Sequence, residues 1–174
     1  DLAGPPGDDG LPRSAVVEGE AGPGAGVTMF DLVTGDAVGT YVPDADEWPE
    51  SLAMSPDGGH LAVLMASGRL VVLDAERIVE GDDQTDAHVL DIVAHGAGSK
   101  AIDISNSGLI ATGSSADGVR VWTRDGQLLA SVPTQQTDPP TFSFAPGTDT
   151  LYYEDGDGVI RRFPIDVDEV AELA

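Results

Sequence analysis

The chain has 174 residues, 41% of them hydrophobic, which is enough to bury a core. Its 31 acidic and 8 basic side chains give a formal net charge of −23, which repels phosphate and anionic lipid and so argues against direct binding to nucleic acid or membranes. The chain has no cysteine, which excludes disulfides and thiolate zinc sites and fits a reducing compartment, so we expect a cytoplasmic protein.

Four segments of the chain share one pattern, a glycine turn followed by an alternating strand that closes on a large apolar residue. The closing residues Phe30, Leu73, Trp122 and Phe163 lie 43, 49 and 41 residues apart. A repeat of this length built from short strands is typical of a β-propeller, in which each repeat forms one four-stranded blade. We therefore predict an all-β fold of about four blades.

The first repeat, residues 1–43, is predicted to be blade 1 with a truncated first strand. Asp1-Leu2-Ala3 and the Pro- and Gly-rich turn after it have the pattern of the tail of a strand A. Residues 19–26 predict a lengthened hairpin, and residues 37–42 predict the outer strand D. Because the chain begins with Asp and not with Met, we expect it to be a piece of a longer protein.

The second repeat, residues 44–94, is predicted to be a complete blade. It opens with an acidic loop at residues 44–50, and its strands A to D are predicted at residues 52–54, 60–65, 70–73 and 88–93. The Pro-Asp-Gly sequence after strand A suits a tight turn. An insertion at residues 75–87 lengthens the connection from strand C to strand D, and its first six residues predict a single helical turn.

The last two repeats are predicted at residues 95–136 and 137–165. The third has all four strands, whereas the fourth lacks a strand D. Residues 166–174 have helical composition, with Asp166 or Asp168 as the N-cap. Because the row of blades is incomplete at both ends, we expect an open arc or a fragment of a larger ring, with a closed four-bladed ring as the alternative.

The third repeat resembles a WD-repeat blade. The resemblance rests on His95-Gly96, on the strands around Ile102 and Thr112, and on the segment from Asp117 to Trp122. In that family a His, a strand-B Ser or Thr, a turn Asp and a strand-C Trp form a buried hydrogen-bonded tetrad. The resemblance thus implies a structural tetrad of His95, Thr112 (or Ser114 on the same strand face), Asp117 and Trp122.

The other repeats depart from this motif. The second has Leu73 in place of Trp and Ser67 in place of the turn Asp, and the fourth keeps Asp157 but ends on Phe163. We expect these blades to be held by packing without a tetrad.

The end of the chain, residues 164–174, is also similar to the C-terminal end of WD-repeat regions in large actinobacterial regulators. Those proteins pair a DNA-binding or kinase domain with an NTPase and a propeller. The resemblance implies a bacterial signalling or transcription-regulatory parent protein that carries the remaining blades. The acidity is typical both of salt adaptation and of a GC-rich genome, and both explanations stay open.

Motifs for cofactor, metal or catalytic chemistry are weak. Residues 22–26 lead into a strand and not into a helix, so they do not form a phosphate loop. Three carboxylates within residues 154–158 are explained by a hairpin turn better than by a calcium loop. His60, His88 and His95 lack ligand spacing, and no Gly-x-Ser-x-Gly occurs. We therefore expect no cofactor, no metal, no catalytic residue and no enzyme activity.

A protein-interaction surface is the function that the pattern favours. Trp48 is the one exposed-looking aromatic and a candidate anchor for a partner, although packing against the start of strand A explains it as well. Four arginines are interpreted as strand-edge charges: Arg69, Arg120, Arg124 and Arg161. We predict a non-catalytic scaffold or regulatory module that binds protein partners.

The alternative function is a ligand-binding or hydrolytic propeller with a site on the central channel. Such a site requires carboxylates or histidines on the A strands of several blades. The predicted A strands carry Asp103 as their lone charge, which favours the scaffold.

Overall fold

The computed structural model describes the backbone of residues 13–18, and residues 22, 24–80, 86–134 and 140–165. Within these residues, fourteen strands form four antiparallel sheets, and one short helix lies between two of the strands. Each sheet contains its strands in chain order, so each sheet is a meander. The predicted all-β fold of stacked blades is confirmed.

The first and second sheets follow from the first two repeats. The first contains β1 (Arg13–Glu18), β2 (Gly26–Asp31) and β3 (Ala37–Tyr41). The second contains β4 (Pro49–Met54), β5 (His60–Met65), β6 (Arg69–Asp74) and β7 (His88–Val93), with helix α1 (Ala75–Glu80) between β6 and β7. The predicted helical turn is α1, and the strands predicted at residues 60–65 and 88–93 are β5 and β7.

The third and fourth sheets follow from the last two repeats. The third contains β8 (Ser99–Ile104), β9 (Ile110–Ser114), β10 (Gly118–Trp122) and β11 (Leu128–Val132). The fourth contains β12 (Phe142–Phe144), β13 (Thr150–Glu154) and β14 (Ile160–Pro164). Among the described residues this sheet has no fourth strand. The predicted strand tail at residues 1–3 and the predicted helix at residues 166–174 lie outside the described residues.

The middle strands β5 and β9 of the second and third sheets are buried along their length because neighbouring sheets cover both of their faces. Leu61 through Met65 are all buried in β5, and Ile110 through Ser114 are all buried in β9. By contrast, β7 and β11 at the outer edge contain only exposed and partly buried positions, which alternate strictly in β7. This is the burial that a propeller blade requires.

Three hydrophobic cores join the sheets in succession. The first packs Val27 and Met29 against residues of β4, β5 and β6. The second packs β5 and β6 against Ile102, Ile104, Ile110 and Trp122, and the third packs β9 and β10 against β12 and β13. The strands β4, β8 and β12 of successive sheets also contact one another. The sheets are therefore stacked in chain order.

The two outermost sheets share none of these cores. Within the described residues, no hydrophobic cluster joins the first sheet to the fourth. On the fourth sheet, Tyr152 is 42% exposed and Ile160 is 65% exposed, both on the face opposite the third sheet. The described residues thus form an open row of blades and not a closed four-bladed ring. No helix in this part of the chain has the length and apolar character needed to cross a membrane.

Candidate functional site

The stacked sheets have two ends, because successive strands of a meander run in opposite directions. We call the end with residues 42–48, 66–68, 94–98 and 115–117 the loop end. We call the opposite end, with residues 32–36, 55–59, 105–109 and 123–127, the turn end. Trp48 and two tetrad residues, His95 and Asp117, belong to the loop end, whereas Thr112 lies within β9 and Trp122 is the last residue of β10.

The structure brings the four tetrad residues together in the third sheet. The Oγ1 of Thr112 accepts a hydrogen bond from Nε1 of Trp122 at 2.8 Å and lies 2.8 Å from Nε2 of His95. The other ring nitrogen of His95, Nδ1, lies 3.2 Å from Oδ2 of Asp117. Ser114 takes no part in this chain of bonds, because its Oγ accepts from the backbone N–H of Ala116.

A single protonation state satisfies every group in this network. Since Thr112 Oγ1 accepts from Trp122, its own proton is free to be donated to Nε2 of His95. The imidazole then carries its proton on Nδ1 and donates it to Asp117. Burial lowers the pKa of His95, in agreement with a neutral ring. The hydrogen bond from His95 lowers the pKa of Asp117, so its carboxylate stays charged.

The network holds the loop before the third sheet against the second sheet. The backbone N–H groups of Ala94 and His95 both donate to the carbonyl of Gly68, at 3.0 and 3.1 Å. Arg120 donates to the carbonyl of Ala94 at 2.5 Å and lies 3.5 Å from Asp117. His95 and Asp117 are residue types that often act in catalysis, but here their side chains help to hold one blade against the next.

The acidic loop predicted at residues 44–50 is shorter in the structure, because Pro49 and Glu50 belong to β4. We therefore define the acidic loop as residues 44–48, and it is fixed at the same end. Arg69 donates to Asp44 at 2.8 Å and to both carboxylate oxygens of Asp91 at 2.8 and 2.6 Å. These bonds lower the pKa of Asp91 and raise that of Arg69. Glu47 accepts a hydrogen bond from Ser67 at 2.8 Å. The interpretation of Arg69 as a simple strand-edge charge is wrong, because its guanidinium joins a loop to two strands.

Trp48 is only partly exposed. Its side chain is half-buried before β4, and its carbonyl accepts from the N–H of Ala66 at 3.1 Å. Among the described residues, Tyr152 is the aromatic residue that is exposed, at 42%, because it lies on the outer face of the fourth sheet. The description of Trp48 as the one exposed aromatic therefore needs correction, while its role as a partner anchor stays a prediction.

The acidic turn at residues 154–158 has the structure expected of a hairpin. Asp155 accepts hydrogen bonds from the N–H groups of Asp157 and Val159, at 3.1 and 3.0 Å, and pairs with Arg161 at 2.5 Å. These bonds lower the pKa of Asp155. Among the described residues, no group of three or more acidic, His or Cys side chains has the arrangement of a metal site.

A small cleft with a volume of about 60 Å³ opens at the turn end, between the second and third sheets. Its floor is apolar and consists of Val72, Ile104 and Ile110. Its polar walls are supplied by both sheets and include Ser55, Asp57, His60, Ser105, Ser107 and Arg124. The cleft is thus large enough for a group of a few heavy atoms, such as a single carboxylate, beside the polar groups that converge there.

Comparison of neighbouring junctions explains why the cleft is open. Between the third and fourth sheets, Asp103 accepts from the Oγ of Ser143 at 2.9 Å and from the N–H of Phe144 at 2.8 Å. Asn106 accepts from the N–H of Gly147 at 2.9 Å, and Ser107 donates to Asp149 at 2.6 Å. These bonds close that junction.

At the junction between the second and third sheets, the equivalent positions to Asp103 and Asn106 are Ala53 and Pro56. Their side chains have no polar atom that could form such a bond. The bonds that close the junction between the third and fourth sheets are therefore missing here, and the cleft lies between the two blades, with Arg124 and His60 in contact across it.

Sequence comparisons alone assign no family. No sequence profile of a protein family matches the chain, and no curated protein matches it. Solved structures do match in fold. Sqt1 of Chaetomium thermophilum, bound to the N-terminus of the ribosomal protein L10, superposes with a TM-score of 0.69 at 22% identity, covering 91% of this chain and 44% of that one. The Dos1 propeller gives 0.67 at 18% identity and covers 93% of this chain and 42% of that one.

The WD40 repeats of RRP9 give a TM-score of 0.65 at 14% identity, covering 94% of this chain and 53% of that one. The chain has the WD40 β-propeller fold. It spans about half the length, or less, of these solved structures. The match extends over the four WD40-type blades and agrees with the stacking described above.

Sequence reasoning missed the cleft between the second and third WD40 blades. Arg124 was assigned to the strand edges, and His60 was treated as an isolated histidine. In the structure, Nη2 of Arg124 contacts Nε2 of His60, although 64 residues separate them in the chain. A signal was present, since the strand and turn positions that carry Asp103 and Asn106 in one blade carry Ala53 and Pro56 in the blade before it. Reading that signal requires the WD40 stacking order.

Proposed function

We propose that the chain is a non-catalytic protein-interaction module, part of the WD40 propeller of a larger cytoplasmic signalling or transcription-regulatory protein. Two of the matching solved structures are assemblies with other proteins: Sqt1 is bound to a ribosomal protein segment, and another match is the mitotic checkpoint complex. The fold thus supports a role in binding proteins.

The observation that carries this proposal is the fixed acidic loop at the loop end. Binding residues commonly lie on loops that a rigid scaffold holds in place. Here Arg69 fixes Asp44, and Ser67 fixes Glu47, so the loop needs little ordering when a partner binds. Asp46 lies in this loop and is exposed. The surface therefore suits a partner with basic side chains, with half-buried Trp48 at its margin.

A site on the central channel receives less support. Asp103, the lone charge predicted on the A strands, accepts hydrogen bonds from Ser143 and Phe144 of the next sheet. Its carboxylate joins two blades, which leaves it poorly placed to act on a ligand. The His95 and Asp117 pair is likewise engaged with Thr112 and Trp122.

The test places a photo-crosslinking amino acid at position 46 of the full-length protein, so that the partner is captured and identified by mass spectrometry. Affinity for that purified partner is then measured for Asp46→Arg and for Asp36→Arg. Asp36 is a matched control, since it is an exposed aspartate at the turn end and its replacement changes the net charge equally. We expect Asp46→Arg to weaken binding about tenfold and Asp36→Arg to change it by less than about twofold. Equal effects of the two variants would contradict the proposal.

A further inference from the structure

The cleft between the second and third sheets lies at the turn end, away from the acidic loop. We propose that this cleft is a second binding site, which takes a carboxylate group presented by an extended peptide segment, with Arg124 as the residue that pairs with it. This inference stands on the cleft itself and does not depend on the acidic loop.

The first argument is the state of Arg124. Most arginines with described side chains pair with carboxylates: Arg69, Arg77, Arg120 and Arg161. Arg124 forms no ion pair with any described residue, although the chain has a net charge of −23. Its described hydrogen-bonding partner is the imidazole of His60. A guanidinium has five N–H donors, so most of those on Arg124 are free to bind an anion.

The second argument is the chemistry of the walls around Arg124. Ser105 and Ser107 of the third sheet line the cleft beside it and make this wall polar, although their hydroxyl protons are engaged, with Ser107 donating to Asp149 and Ser105 bonded to Ser107. The imidazole of His60 lies next to the guanidinium and adds a second polar group from the opposite sheet. The apolar floor of Val72, Ile104 and Ile110 would contact the carbon atom that bears the carboxylate.

The third argument decides between a carboxylate and a phosphate. Asp57 lies on the same wall as His60, and its hydrogen bond with Ser55, at 2.5 Å, lowers its pKa and keeps it ionised. The cleft thus contains one fixed positive charge, on Arg124, and one negative charge, on Asp57. A group with a single negative charge suits this balance better than a phosphate with nearly two. Planar bidentate pairing with a carboxylate is also the geometry that a guanidinium prefers.

The experiment uses the full chain labelled with ¹⁵N and follows the amide resonances of Ser107 and Gly108, which lie beside Arg124. Four probes distinguish the sources of the anion. They are a tripeptide with an Asp side chain and blocked ends, its Asn counterpart, an acetylated tri-alanine with a free C-terminal carboxylate, and inorganic phosphate. We expect the two carboxylate probes to shift these resonances in a saturable way and the Asn probe to leave them unchanged. Whichever carboxylate probe binds more tightly identifies the source.

Variants test the assignment of Arg124. Arg124→Gln should weaken carboxylate binding about tenfold, since a charge-assisted hydrogen bond is lost. The matched control is Arg162→Gln, which removes an exposed arginine on the fourth sheet that has no ion pair among the described residues, and it should leave binding unchanged. The circular dichroism of both variants checks their folding. The proposal is overturned if no carboxylate probe binds, if Arg124→Gln binds like the unmodified chain, or if phosphate binds more tightly than both carboxylates. None of these results would bear on the Asp46 test, which concerns the opposite end.

Discussion

Replacement of Thr112 by valine is the most informative perturbation of the tetrad. Thr112 is fully buried, and its hydroxyl serves both Nε1 of Trp122 and Nε2 of His95, each at 2.8 Å. Valine keeps the shape and removes the hydroxyl, so two buried polar groups lose their partner at once. Each unpaired group costs about 1–3 kcal/mol, so the free energy of unfolding should fall by about 2–6 kcal/mol. A typical domain is stable by only about 5–15 kcal/mol, so this loss is large.

Two control variants distinguish the loss of the Thr112 hydroxyl from a loss of packing and from the loss of another buried hydroxyl in the same strand. Thr112→Ser keeps the hydroxyl and loses one methyl group, which should cost about 1 kcal/mol. Ser114→Ala removes the neighbouring buried hydroxyl, which bonds only Ala116, and should also cost about 1 kcal/mol. The assay is urea unfolding followed by tryptophan fluorescence and by circular dichroism. If Thr112→Val is no more destabilising than Thr112→Ser, the hydroxyl does not connect the network and the reasoning is wrong.

Three further predictions follow from the contacts between blades. Gly68→Ala places a Cβ atom 2.3 Å from the carbonyl oxygen of His95 and should lower the free energy of unfolding by well over 1 kcal/mol in urea unfolding. The control Gly35→Ala has a similar positive φ but open space around it, so it should lower the free energy of unfolding by about 1 kcal/mol. Asp103→Ala removes two hydrogen bonds to the fourth sheet, so amide exchange should become at least about tenfold faster at Phe144 while β5 and β6 keep their protection. Burial holds the pKa of His95 below its usual 6.5. The contribution of His95 to the free energy of unfolding is therefore fully present above that pH. It decreases as the pH drops below 6.5, because the unfolded chain takes up a proton that the folded chain does not. The urea concentration at the unfolding midpoint should thus decrease as the pH is lowered from about 7.5 to about 5.5, and it should decrease by less in His95→Gln. An equal decrease in the variant and the unmodified chain would show that His95 is not the group responsible.

The blades were predictable because their signals are local. Turn residues and alternating apolar strands recur within about forty residues, so the central strands β5 and β6 and the helix α1 fall where the pattern puts them. The tetrad lies within one repeat, between His95 and Trp122, and its motif resembles that of a WD-repeat blade. The structure adds the choice of Thr112 over Ser114, which depends on which hydroxyl faces the indole.

Features that depend on two blades at once were not predictable in this way. The role of Arg69 requires Asp44 and Asp91, which approach it from a preceding loop and a following strand. The cleft at Arg124 requires the second and third sheets to be stacked, because neither sheet encloses it alone. Such contacts are set by packing between repeats, and no short window of sequence contains them.

The central claim, that the sheets are stacked in chain order through three separate cores, is tested most directly by nuclear Overhauser contacts between labelled methyl groups of Ile, Leu and Val. The structure predicts contacts from Val27 to the second sheet, from Ile102 to the second sheet, and from Leu151 to the third sheet. Contacts between the methyl groups of Val27 and Leu151 within one molecule, or the absence of contacts between Ile102 and the second sheet, would contradict the stacking and with it the cleft and the loop surface.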